Sequence, residues 1–237
     1  MSFLQVRDLT KRFGHLKAVD QVDFELESGK SIAIFGGNGA GKTTLIKIIA
    51  TLIQPTSGTV LVDNSELKKN SNAVRADLGL ISHSLFLYSD LNALENLRYF
   101  GRLYGVENLD MRIEELLSKF GLLPRMYDPA RTYSRGMLQR LALARAVIHE
   151  PKLLLLDEPF TGLDRSAAHT LMDYMGEHKS SGGTTLLVTH NLERGYKSAE
   201  KLAVMTNGKM VWSGDSHEVS IDEFKKIYSD NVAEADV

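Results

Sequence analysis

The stretch Gly36-Gly37-Asn38-Gly39-Ala40-Gly41-Lys42-Thr43-Thr44 constrains this chain more than any other. It fits the spacing G-x-x-x-x-G-K-[ST], a loop whose backbone wraps the phosphates of a nucleotide. The run before it, Ser31-Ile32-Ala33-Ile34-Phe35, is short, apolar and partly β-branched, as a buried strand is. The run after it, Leu45-Ile46-Lys47-Ile48-Ile49-Ala50, continues as a helix. Glycines let the backbone approach phosphate and take positive φ, so successive N–H groups turn inward as an anion nest. The helix adds its positive end. Gly36 through Thr44 are thus the candidate nucleotide-binding set. Lys42 is expected on the β- and γ-phosphates, and the Thr43 hydroxyl on Mg2+.

A chain of 237 residues can bury a sizeable core, as one large domain or as a core with an insertion. The 28 basic and 30 acidic residues nearly cancel, so no bulk charge draws it to nucleic acid. The absence of cysteine excludes disulfides, thiolate catalysis and Cys-based zinc sites. No apolar run approaches a membrane span and no signal core opens the chain, so a soluble protein is expected, with any membrane role through a separate partner.

Phe3 to Leu9 alternates loosely, and Ala18 to Leu26 clearly, with Val22, Phe24 and Leu26 on one side and Asp23 and Glu25 on the other. Both read as antiparallel-type strands. Phe13, just before Gly14, has two readings: packing in a turn, or an exposed ring that stacks on adenine. Gln54 to Gly58 is a turn cluster, and Thr59 to Val62 and Leu78 to Ile81 are further strands. From about 84 to 150 the pattern turns helical. Asn92 with Glu95 forms a capping box, and Asp110 is the expected cap of a helix with Ile113, Leu116, Leu117 and Phe120 inward, stopped by Gly121. Leu138 to Ile148 reads as a helix ending before Pro151.

Leu153-Leu154-Leu155-Leu156-Asp157-Glu158 describes a central strand presenting carboxylates at its C-terminal edge, where open α/β sheets bind ligands. Asp157 is placed to hold Mg2+ through water, and Glu158 to orient or deprotonate the water that attacks the γ-phosphate. A helix with Ala167, Ala168, Leu171, Met172 and Met175 on one face follows, then the strand Thr184 to Thr189. His190 ends that strand at the same edge and is expected on the γ-phosphate. Asn207-Gly208 turns a hairpin within Lys201 to Trp212, and residues 215–237 read as a helix and an acidic tail.

Assembled in this order, the motifs resemble the ATP-binding subunit of an ABC transporter. Gly36 to Thr44 correspond to the Walker A loop, Leu153 to Glu158 to Walker B, and Thr161 to Asp164 to the D-loop. His190 corresponds to the switch histidine and Phe13 to the A-loop aromatic. Tyr133-Ser134-Arg135-Gly136-Met137-Leu138-Gln139-Arg140 is similar to the LSGGQ signature. The resemblance implies an α/β fold: a P-loop NTPase (RecA-like) core, an N-terminal antiparallel β subdomain and an α-helical subdomain inserted at about 84–150. It implies ATP hydrolysis with Mg2+ by a head-to-tail dimer, in which Ser134, Gly136 and Asp164 contact the ATP bound by the other protomer. It also implies a cytoplasmic protein, peripheral on the membrane and powering separate integral membrane subunits.

Arg135 stands where LSGGQ has its first Gly, and Met137 where it has Gln. The form Y-S-x-G-M-x-Q-R is similar to exporter ATPases that pair with small ABC-2-type membrane subunits. His83 occupies the Q-loop position, where the family carries a Mg2+-contacting Gln, and is the further candidate for the metal. A soluble non-transport ATPase of the same family, a cofactor-assembly or repair type, is the second reading, although no zinc hook, long coiled coil or basic face supports repair. A GTPase lacks its N-K-x-D here.

Overall fold

In the computed structural model, which describes residues 2–233, two sheets and eight α-helices follow one another. In chain order the elements are β1 (Ser2–Phe13), β2 (Leu16–Glu27), β3 (Ser31–Phe35), α1 (Lys42–Ile49), β4 (Ser57–Val62), β5 (Ser65–Glu66), α2 (Leu67–Ala76), β6 (Leu78–Ile81), α3 (Ala93–Leu103), α4 (Leu109–Lys119) and α5 (Arg135–Val147). Then come β7 (Leu153–Asp157), α6 (Arg165–Ser180), β8 (Thr184–Thr189), α7 (Leu192–Ser198), β9 (Lys201–Thr206), β10 (Lys209–Asp215) and α8 (Ile221–Ala233). Residues 234–237 of the expected acidic tail lie outside the described residues.

Strands β3, β7 and β8 are buried at every residue, and their side chains divide between two cores. Ala33, Phe35, Leu154, Leu156, Leu187, Leu202 and Val204 join one core with α5 and α6. Their neighbours Ile32, Ile34, Leu153, Leu155, Leu186, Val188 and Ala203 join the other with α1 and the first two strands. The period-2 alternation of a strand therefore feeds two layers, and both faces must be apolar. The sheet runs β10-β9-β3-β8-β7-β6, parallel except for β10. An antiparallel sheet, β2-β1-β4-β5, covers one side.

The capping box forms as expected, with Glu95 N–H on Asn92 Oδ1 at 2.8 Å and Asn92 N–H on Glu95 Oε2 at 2.9 Å. Asp110 does not cap. Helix α4 begins two residues earlier than such a cap would set it, behind Asn108 at φ +48, and the Asp110 carboxylate accepts from Arg98 Nη2 at 2.7 Å. An acid in the first turn is favoured by the helix dipole whether or not it caps. Helix α5 starts three residues before the expected Leu138, because the Ser134 hydroxyl caps it by accepting from Met137 N–H. Helix α2 was not expected; its large apolar residues, Leu67 and Val74, are too few to make a period.

The end of α5 is tied to β6 by buried polar groups. Arg145 Nη2 donates to Leu80 O at 2.6 Å, and its guanidinium lies 5.5 Å from the ring centres of both Phe86 and Phe100. His149 Nε2 donates to Leu78 O at 3.0 Å, while Tyr104 stacks on its ring at 3.8 Å. Burial pushes the His149 pKa down to about 4 against the help of that carbonyl, with the Arg145 charge adding to the depression. Between pH 4 and 6.5 the unfolded chain therefore takes up a proton that the folded one refuses, and stability falls as pH falls. Going from pH 7 to pH 5 should cost about 2 kcal/mol through this residue. Urea unfolding at the two pH values should show that His149→Gln, which keeps a donor but cannot titrate, removes most of that difference.

Candidate functional site

The phosphate-loop stretch joins β3 to α1 in a pocket of backbone. Gly41 lies at φ +101, and a Cβ there would collide with the Ala18 carbonyl; one at Gly36 would collide with the Met205 carbonyl. Only glycine fits between these strands and the loop. The first helical hydrogen bond is Leu45 N–H on Gly41 O, and no side chain caps the helix, so the earlier amides keep their donors for a ligand. Lys42 is buried and donates to Gly36 O at 2.8 Å and Gly37 O at 3.0 Å. Burial lowers its pKa, and the carboxylates of Glu158 and Asp157 act the other way.

Those carboxylates stand at the C-terminal end of β7. Asp157 is buried and accepts from Thr43 Oγ1 at 3.0 Å; burial raises its pKa, and the Thr43 hydroxyl opposes the rise. Glu158 turns out of the strand at φ +50, fixed by its N–H on Val188 O at 3.0 Å. Its Oε1 is 2.9 Å from His190 Nδ1, and its Oε2 accepts from Thr189 Oγ1 at 3.0 Å. Thr43 and Asp157 are hard oxygen donors already in contact, a set that fits Mg2+.

The remaining candidates divide. His83 is exposed and lines a cavity of about 80 Å3 with Ser82, Arg135, Gln139, Asp157 and Glu158, so the Q-loop position does reach the carboxylate edge. Phe13 ends β1 half-exposed, with the Lys11 ammonium 5.1 Å from its ring centre. It pairs with Leu16 at the tip of the β1–β2 hairpin, two residues before the Ala18 carbonyl that meets Gly41, so the tip sits beside the loop. Ser134 and Asp164 are both exposed helix caps, Asp164 accepting from Ala167 N–H at 2.8 Å, and neither joins the Lys42 cluster of its own chain. Arg135 packs its guanidinium on the backbone of Gly162. Thr189 went unnoticed in the sequence, where its only signal is its place beside His190.

The family model described as ABC transporter matches residues 19–161. This chain belongs to the ABC transporter family. NatA, an ABC transporter ATP-binding protein of Bacillus subtilis, is 34% identical over 89% of each chain. The Nod factor export ATP-binding protein I of Cupriavidus metallidurans is also 34% identical, over 92% of this chain and 73% of that one. A dimeric ATP-binding cassette solved in a post-hydrolysis state, bound to ADP and Pi, superposes with a TM-score of 0.82 at 25% identity, over 90% of this chain and 98% of that one. As an ABC ATPase the chain binds and hydrolyses ATP with Mg2+, and no described helix is long and apolar enough to cross a membrane.

Replacing Lys42 by Met removes a buried charge while keeping the shape of the side chain. Nucleotide affinity should fall about ten- to a hundredfold, the scale of a charge-assisted hydrogen bond, in a fluorescent-nucleotide titration. The thermal midpoint should stay within about 3 °C of the parent, because no ion pair is broken.

Proposed function

We propose that this chain is the motor subunit of an ABC exporter, working as a head-to-tail dimer that closes on two ATP and drives separate membrane subunits. One observation carries the reading. A single sheet edge gathers Lys42, the Thr43–Asp157 pair and the Glu158–His190 pair, while Ser134 and Gly136 begin α5 on an exposed face. A Cβ on Gly136 would meet nothing within 4 Å, so this helix end is open to an approaching group. Each chain then offers half of a site to its partner.

In that site Gly36 to Thr44 wrap the phosphates, Phe13 stacks on the base, and Lys42 holds the β- and γ-phosphates. Thr43 and Asp157, with His83 as a further contact, hold Mg2+, which neutralises phosphate charge when bound. Glu158 orients and deprotonates water, and His190 contacts the γ-phosphate. Ser134, Gly136 and Asp164 complete the partner's site. Residues 84–150 form the helical subdomain inserted between β6 and β7, and 215–237 the C-terminal helix and tail. Export is supported by the Tyr133-Ser134-Arg135-Gly136-Met137 form of the signature and by the Nod factor export that the Cupriavidus relative is named for. Phe86, Tyr88, Tyr99 and Leu103 are exposed together, with Tyr88 edge-on to Tyr99 at 5.0 Å. An apolar surface of this kind suits a membrane subunit. Such a partner supports a cytoplasmic location, peripheral on the inner face of the membrane.

Glu158→Gln should bind ATP normally, turn over at least about a hundredfold more slowly, and elute as a dimer with ATP. Elution as a monomer with ATP, at unchanged hydrolysis, would overturn the motor reading.

A further inference from the structure

We propose that Thr189 is a positioning residue: its hydroxyl fixes one oxygen of the Glu158 carboxylate and so aims the other. The proposal rests on the reading of Glu158 as the base that acts on water.

Among the described residues the Glu158 carboxylate has two close polar contacts, from the consecutive residues Thr189 and His190 at the end of β8. Oε2 meets Thr189 Oγ1 at 3.0 Å, and Oε1 meets His190 Nδ1 at 2.9 Å. The contacts differ in mobility. The His190 side chain is 64% exposed, and one rotamer change takes it away. Thr189 is 1% exposed, β-branched and locked at χ1 by the packing around it. If His190 turns to the γ-phosphate, Oε1 is released for water while Oε2 stays where Thr189 holds it.

The direction of the bond follows from chemistry. The carboxylate can only accept, and Asn191 N–H, 3.1 Å from Thr189 Oγ1, can only donate. Thr189 therefore spends its one proton on Glu158 and takes the Asn191 amide on a lone pair, a chain in which each bond polarises the next. Asn191 is itself fixed, because its side chain caps α7 by accepting from Arg194 N–H at 3.0 Å. The backbone of Glu158 stands at φ +50, a conformation that a non-glycine residue keeps only when its surroundings hold it. With the main chain pinned by Val188 O and one oxygen pinned by Thr189, the last free torsions of the base are set. A valine would fill the same volume in this buried strand, so packing alone does not call for the hydroxyl.

The test compares Thr189→Val, Thr189→Ala and Thr189→Ser in the full chain, with Glu158→Gln as reference. The readouts are kcat, KM for ATP, fluorescent-nucleotide affinity and thermal midpoint. Loss of aim without loss of binding should lower kcat about ten- to a hundredfold in both the Val and Ala variants, with KM and nucleotide affinity within twofold of the parent. Thr189→Ser, which restores the donor, should recover most of the turnover. In a Glu158→Gln background, Thr189→Val should cost little more. Parental kcat in the Val and Ala variants, beside an inactive Glu158→Gln, overturns the role of Thr189 and leaves the base in place. Parental turnover in Glu158→Gln overturns the base, and the proposal with it. A kcat that falls in step with nucleotide affinity and thermal midpoint, or failure of both Val and Ala to fold, assigns Thr189 to structure and overturns the proposal.

Discussion

The polar groups of the nucleotide site are arranged by the requirement that β3, β7 and β8 be covered on both faces. A strand with apolar neighbours above and below has no place for a charge along its length, because an unpaired ion there carries a large desolvation cost. Its chemistry can stand only at the end. Asp157 ends β7, Thr189 ends β8, and the phosphate-loop stretch begins directly after Phe35 ends β3. Parallel order brings these ends to one edge. Thr43 and Asp157, 114 residues apart, therefore meet at 3.0 Å.

At that edge burial and charge pull in opposite directions. Burial disfavours the charged forms of both Lys42 and Asp157, while each favours the charge on the other. The ammonium is satisfied by carbonyls of its own loop rather than by a carboxylate in contact. Keeping the charges apart leaves each free to engage phosphate or metal. A direct ion pair would have to be broken first.

Sequence made the buried strands and their ends legible, because runs such as Leu153 to Leu156 have few other uses and the spacing from Gly36 to Thr43 is demanding. The Asn92–Glu95 box was readable for the same reason: both of its partners lie within one helical turn. What escaped notice depends on partners far along the chain. Thr189 is one of several threonines until Glu158, 31 residues away, is seen at its hydroxyl. Arg145 is one cation in a helix until Leu80 and the two phenylalanines surround it. Asp110 had the right residue type for a cap, but the cap position fell two residues earlier, at Asn108. Local rules name the candidates for an N-cap and fix a helix boundary only to within a residue or two.

Helix α5 joins two of these places. Its thirteen residues span about 20 Å at 1.5 Å per residue. The Ser134 end is exposed, while the Arg145 end is bolted to the carbonyl of Leu80 and gripped by Phe86. One helix therefore connects the exposed ring of Phe86, through Arg145, with the exposed Ser134 end of the signature stretch.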